Sequence, residues 1–257
     1  MEIDPNTNLI VSEAEALKEL EKYLNMPLKA IDWVHDRGYM GIYHQVVSLH
    51  LQGLSVSGLP SLKKFERLTD LNLSAYYLDL KVVNIHSPDN NIIIPENQIK
   101  AIDLTFLQGL QYLERLNLSH NRLTTLDLAP LGTCPKLKRI NLYSNQLEEI
   151  DFNPLAQCSQ LQSLDLMNNQ LQTIDLAPLA NCKEFEDLML DNNQLETIDL
   201  IPLRRLTNLN LLHLSSNNIT QIDCTPLIGL TKLEYFLIDK KVKLKALSNG
   251  IKPTFTD

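Results

Sequence analysis

Five asparagines, Asn121, Asn145, Asn169, Asn193 and Asn217, follow one another at intervals of 24 residues. Around them Leu113, Leu137, Leu161, Phe185, Leu209 and Leu233 open each unit, and Pro130, Pro154, Pro178, Pro202 and Pro226 keep the same step. The unit reads L-x-x-L-x-L-x-x-N-x-L-x-x-I/L-D-L-x-P-L-x-x-C/L-x-x. A fixed period of this length specifies a solenoid, in which each unit buries its apolar face only by stacking on its neighbours.

The period continues beyond the five regular units. Counting back from Asn121 lands on Asn97, with Ile92, Ile94, Ile99, Ile102 and Asp103 in register and Phe106 in place of the proline. Leu68-x-x-Leu71-x-Leu73 and Val46-x-x-Leu49-x-Leu51 open shorter units of 21 and 22 residues, with Tyr76 and Leu54 where Asn belongs. Leu233-Glu-Tyr-Phe-Leu-Ile238 opens a last strand. The expectation is about eight repeats over 46–232 and a C-terminal strand and capping tail over 233–257. Residues 7–45 lie outside the period. Ser12-Glu13-Ala14-Glu15 forms a capping box ahead of Leu17, Leu20 and Leu24 on one helical face, and Pro27 ends that helix. This segment is read as an N-terminal helical cap anchored by Trp33, because a terminal repeat must cover its core.

Within each unit L-x-x-L-x-L alternates with period two, which predicts a strand with one buried face. The prolines suit the start of a short helical turn on the return path. Each Asn, at the inward bend, needs partners that stacked backbone groups supply. Leu116-x-Leu118-x-x-Asn121-x-Leu123 resembles the leucine-rich repeat consensus, over roughly 46–238. The head, from Glu13-Ala14-Glu15-Ala16-Leu17 through Trp33 to Val46-Val47-x-Leu49-x-Leu51 and Gly58-Leu59-Pro60, is similar to the N-terminal cap of plant-type members, without their paired cysteines. The resemblance implies an α/β solenoid: a leucine-rich repeat horseshoe with a parallel β-sheet on the concave face and short helical or irregular turns on the convex face. It also implies a binding scaffold for another protein.

Composition narrows the function. A net charge of −8 disfavours nucleic acid, and no apolar run is long enough to span a bilayer. The only dense basic stretch, Lys240, Lys241, Lys243 and Lys245, reads as a solvated capping segment. Cys134, Cys158 and Cys182 share one column and Cys224 stands in another, all four at core positions. Stacking would bring the first three about 5 Å apart, within disulfide reach, yet three in a row cannot all pair. They read as core thiols in a reducing, cytoplasmic setting. No phosphate loop is present, and no histidine stands at metal-ligand spacing from Cys or Glu. Asn72-Leu-Ser74, Asn117-Leu-Ser119 and Asn218-Ile-Thr220 match a glycosylation pattern as by-products of the repeat.

The variable strand positions should carry binding. The central column runs Asn72, Ile93, Asn117, Asn141, Asp165, Met189, His213 and Leu237. The column before it runs Asp70, Asn91, Arg115, Arg139, Ser163, Asp187, Leu211 and Tyr235, and the one after it Ser74, Pro95, Ser119, Tyr143, Met167, Asp191, Ser215 and Asp239. The candidate partner-binding residues are Arg115, Arg139, Asn141, Tyr143, Asp165, Met167, Asp187, Met189, Asp191, His213 and Tyr235, centred on Tyr143, Met167 and Met189. Their chemistry, a basic patch beside an apolar-acidic one, matches interface hot spots. Asp103, Asp127, Asp151, Asp175, Asp199 and Asp223 form a sixfold column that either caps backbone N–H groups or binds a row of Ca²⁺. Capping accounts for the proline three residues later, or Phe106 in the first unit. His213 beside Asp187 and Asp191 makes a catalytic pair conceivable, with Ser215 in a commonplace turn and no nucleophile placed. The sequence therefore predicts a monomeric, non-enzymatic scaffold with no metal or cofactor. The alternatives are a regulatory subunit holding a phosphatase or small GTPase, or a secreted, host-directed protein.

Overall fold

The computed structural model describes residues 11–24, 29–30, 38–42, 45–50, 59–65, 68–74, 99–246 and 252–256. Trp33, Pro27 and residues 75–98 lie outside them. The first element is helix α1 (Val11–Leu24), which buries Ala14, Ala16, Leu17 and Leu20. It begins at Val11, so Ser12 stands inside the first turn and not ahead of it. Three strands follow, β1 (Lys29–Ala30), β2 (Gly38–Ile42) and β3 (Gln45–His50). The segment expected as a helical cap thus adds strands to the sheet, and β2 pairs antiparallel with β3.

From β3 onward the sheet is parallel. It passes through β4 (Asp70–Asn72), β5 (Arg115–Asn117), β6 (Arg139–Asn141), β7 (Ser163–Asp165), β8 (Asp187–Met189) and β9 (Leu211–His213). A short strand β10 (Gln221–Asp223) leaves the main sheet, which continues with β11 (Tyr235–Asp239). The strand β12 (Lys243–Lys245) pairs with β10, and β13 (Pro253–Thr256) adds to the edge beside β11. The lysine-rich stretch is exposed, and Lys245 Nζ lies 3.6 Å from Asp223.

The strand expected over Ile92–Ile94 lies outside the described residues; among those described, β4 pairs directly with β5, Asn72 opposite Asn117. Arg115 and Asp70, neighbours in the sheet, are 45 residues apart in sequence. The return half of that coil keeps its register: Ile99, Ile102, Leu104, Leu107 and Leu110 are buried, as their counterparts are in later units.

The periodic residues build the core. Each L-x-L strand buries its leucines, and the middle residue between them faces away from the core. Opposite the sheet lie 3₁₀ turns at Leu104–Leu107, Ala129–Thr133, Asn153–Gln157, Ala177–Asn181, Ile201–Arg205 and Thr225–Leu227. In the last five the proline is the second residue, where its missing N–H leaves no bond unmade. Asp103 through Asp223 resolve as caps: each Oδ1 accepts the backbone N–H two residues on, at 2.8–2.9 Å.

The asparagine column ties coil to coil. Asn169 Nδ2 donates to Leu166 O and to Leu142 O of the preceding coil, both at 3.0 Å, and its Oδ1 accepts Leu147 N–H at 3.1 Å. Asn145, Asn193 and Asn217 repeat the pattern. The residue before each Asn takes a left-handed conformation: His120, Ser144, Asn168, Asn192 and Ser216, with φ from 53° to 63°. The buried cysteines are unpaired. Sγ of Cys134, Cys158 and Cys182 approaches carbonyls of the coil before it, and burial pushes these thiols up to about 11, 12 and 11.

Candidate functional site

The strand positions between buried leucines form the concave face, and the register aligns them in two columns. The leading one brings Asp70, Arg115, Arg139, Ser163, Asp187, Leu211 and Tyr235 side by side. The central one brings Asn72, Asn117, Asn141, Asp165, Met189, His213 and Leu237 together. Asn91, Ile93 and Pro95, assigned to these columns from the sequence, fall outside the described residues, and the sheet leaves no position for Ile93 between Asn72 and Asn117.

The third column behaves differently. After the strand the chain turns into the coil, and the carbonyls of Tyr143, Met167, Asp191 and Ser215 accept N–H groups from the left-handed residues one coil earlier. Ser74, Ser119, Asp191, Ser215 and Asp239 are buried there, whereas Tyr143 and Met167 stay half-buried. Asp191, expected to face solvent, is therefore a buried residue at the rim of the face.

The polar residues of the centre also hold backbone. Asn141 Oδ1 accepts the N–H of Tyr143 at 2.9 Å and Asp165 Oδ1 that of Met167 at 3.1 Å. These bonds fix where Tyr143 and Met167 leave the sheet. Tyr143 is further set by an edge-on contact with the His120 ring, centroids 4.7 Å apart. Sequence reasoning did not single out His120. Its signal was its place in the left-handed column one coil before Tyr143.

The charge map is acidic at its centre. Arg115 is engaged by Asp70 at 2.7 Å, a hydrogen bond that raises the guanidinium's pKa further. Arg139 is exposed and, by its charge, moderates the burial-driven rise of Asp187. Burial pushes Asp165 up to about 6, and the neighbouring Asp191 charge adds to the rise. Asp191 Oδ1 lies 3.0 Å from His213 Nδ1, an ion pair only when His213 is protonated. Met189 sits between Asp165 and His213 in the register. Tyr235 is 52% exposed at the end of the leading column.

Stacked short parallel strands, 3₁₀ return turns and an internal amide ladder define a parallel α/β solenoid with one continuous open sheet face. Leucine rich repeat profiles match residues 90–147 and 184–240, and a second such profile matches 160–182, together more than half of the chain. The chain belongs to the leucine-rich repeat family. Among solved structures, a leucine-rich repeat protein of Leptospira interrogans is 23% identical at a TM-score of 0.52, covering 86% of this chain and 55% of its own. This chain thus spans about half of that protein's length. Internalin C2 of Listeria monocytogenes is 24% identical at a TM-score of 0.47, covering 91% of this chain and 93% of its own. These likenesses concern the fold. No curated protein matches the sequence.

Proposed function

We propose that this chain is a non-enzymatic scaffold that binds another protein through its concave face, centred on Tyr143, Met167 and Met189. The observation that carries the reading is the division of labour along each repeat. Leucines, cysteines, prolines, asparagines and capping aspartates are consumed by core and backbone, and on the sheet face that leaves the concave columns free to vary. There Tyr143, Met167 and Met189 are half-buried among charged neighbours, the first two set by bonds from their backbone N–H groups to Asn141 and Asp165. Adaptable thioethers and a positioned aromatic suit a protein surface. The same reading takes the chain as a monomer in the cytoplasm, and the four unpaired thiols support a reducing surrounding.

The test is capture of partners from native lysate by wild type, by Tyr143→Ala with Met189→Asp, and by the convex-side variant Ile201→Asp, in an exposed 3₁₀ position. Partners lost only from the concave variant support the reading. Partners retained by it, or lost from the convex variant instead, refute it.

A further inference from the structure

The convex face breaks its own pattern in one coil. The first residue of successive 3₁₀ turns is Ala129, Asn153, Ala177 and then Ile201, and the fourth is Gly132, Ala156, Ala180 and then Arg204. Arg205 follows, where the earlier turns carry Thr133, Gln157 and Asn181. Small or neutral residues thus give way to one long aliphatic and two guanidinium side chains, all exposed. The fold does not ask for them. Cations in a last turn complement helix-end carbonyls, yet the other 3₁₀ turns close without any there. The core of this coil is supplied by Leu203 and Leu206, both buried.

The step from small to large side chains leaves a groove of about 300 Å³ between the turns Ala177–Asn181 and Ile201–Arg205. Ala177, Ala180, Pro202 and Ile201 give it apolar surface, and Lys183, Arg204 and Arg205 give it charge. No carboxylate lines it. The capping Asp175 and Asp199 stand at the starts of the two turns, where their Oδ1 atoms hold the N–H groups of Ala177 and Ile201. Lys183 Nζ donates to Ala180 O at 2.6 Å, which holds the ammonium at the groove without neutralising it. Neither Arg204 nor Arg205 has a hydrogen bond or ion pair with any described residue. Elsewhere Arg115 is engaged by Asp70, and Arg139 acts on Asp187.

The chemistry that fits is acidic. Guanidinium groups bind carboxylates through paired N–H donors, a geometry that an ammonium does not offer. Nucleic acid asks for a long basic track, and this groove is one short cluster on a chain of net charge −8. The same net charge repels acidic molecules at long range, so selection rests on contact at the groove. Ile201 and the alanines beside it suit an aliphatic side chain next to the carboxylates. We propose that this convex groove docks an acidic, aliphatic segment of a partner protein, with carboxylates on Arg204, Arg205 and Lys183 and an apolar side chain against Ile201. It stands apart from the concave face and does not depend on that face binding a partner.

The probe is a fluorescein-labelled peptide, Glu-Leu-Glu-Glu-Leu-Glu amide, titrated by anisotropy at about 0.15 M salt, where charges beyond about 8 Å are screened. Saturable binding is expected, and none by the peptide with lysine in place of glutamate. Arg204→Gln with Arg205→Gln should weaken binding about tenfold or more, and Arg204→Lys with Arg205→Lys should recover only part of that loss. Ile201→Asp should weaken the peptide while keeping any partner that Tyr143→Ala with Met189→Asp loses. Lys243→Gln with Lys252→Gln, equally exposed and equal in charge, should leave binding unchanged. No saturable binding, equal binding of the lysine peptide, or undiminished binding after Arg204→Gln with Arg205→Gln overturns the proposal. An equal loss after Lys243→Gln with Lys252→Gln also overturns it, because overall charge would then account for the effect. Displacement by inorganic phosphate at lower concentration than by unlabelled peptide would assign the groove to phosphate and overturn the acidic segment.

Discussion

The regular coils from β5 to β11 and the coil that precedes β5 are built from the same residue types, but they are joined differently. In the regular part each strand pairs with the one 24 residues on, and each ladder asparagine bonds both its own coil and the one before. Before β5 the coil is a splice, with a strand from Asp70–Asn72 and a return path from residues 99–112. Asn121 marks the seam. Its Nδ2 reaches back 48 residues to Leu73 O, and its buried Oδ1 has no hydrogen-bond partner among the described residues. A leucine-rich coil therefore needs its two halves in place, not contiguous in sequence. The cost of the discontinuity falls on the amide ladder.

The largest test of that contrast removes rungs. Asn169→Ala orphans the N–H of Leu147 and takes one of two amide donors from the carbonyls of Leu142 and Leu166, which Asn145 and Asn193 still serve, and should cost about 2–3 kcal/mol in urea unfolding. Asn121→Ala removes one fewer coil-to-coil bond, and should cost about 1 kcal/mol less. Equal losses would show that the seam does not weaken the ladder.

A second test compares binding chemistry with stability. Asp165 has its folded pKa raised to about 6, so the folded state binds the proton more tightly than the unfolded chain. Stability contributed by the protonated form is present at low pH and declines as pH rises through about 4 to 6. Asp165→Asn should therefore stabilise the protein by about 1–2 kcal/mol near pH 8 and change little near pH 3. An amide still accepts the Met167 N–H. Thermal unfolding at the two pH values decides, and destabilisation near pH 8 would contradict the burial argument.

The smallest effect concerns the caps, which are local and should ignore the seam. Asp103→Ala and Asp175→Ala should each cost about 0.5–1 kcal/mol, the same on either side of it. A clear difference would mean that the return path before β5 is not the equivalent element its register indicates.

Most of the architecture was legible because it repeats. Every leucine, proline and capping aspartate has one dominant physical role, and five copies in step expose it. The pairing of β4 with β5 was not legible. Ile92, Ile94 and Asn97, outside the described residues, match the period, and the family profile covers them from residue 90. Periodicity reports which residues suit a coil, and only pairing reports which strand occupies it. At the candidate site, the spacing placed Tyr143, Met167, Met189 and His213 on neighbouring coils. It could not place Asp191, because the chain leaves the sheet within two residues of Met189 and carries that carboxylate into the rim. The contact of His120 with Tyr143 was hidden for a related reason: it joins residues in different columns of adjacent coils.

The central claim, that β4 adjoins β5, is tested most directly by a cross-link. Asn72 and Asn117 are paired across the two strands. Neighbouring strands lie about 4.8 Å apart, whereas an intervening strand would separate them by about 10 Å, beyond disulfide reach. The native thiols, buried and pushed up to about 11 to 12, stay largely protonated and out of exchange. Asn72→Cys with Asn117→Cys should oxidise to a single intramolecular disulfide, located by peptide mass. Failure of that pair to close, with closure of Ile93→Cys to Asn117→Cys instead, would restore the uninterrupted repeat and contradict the spliced coil.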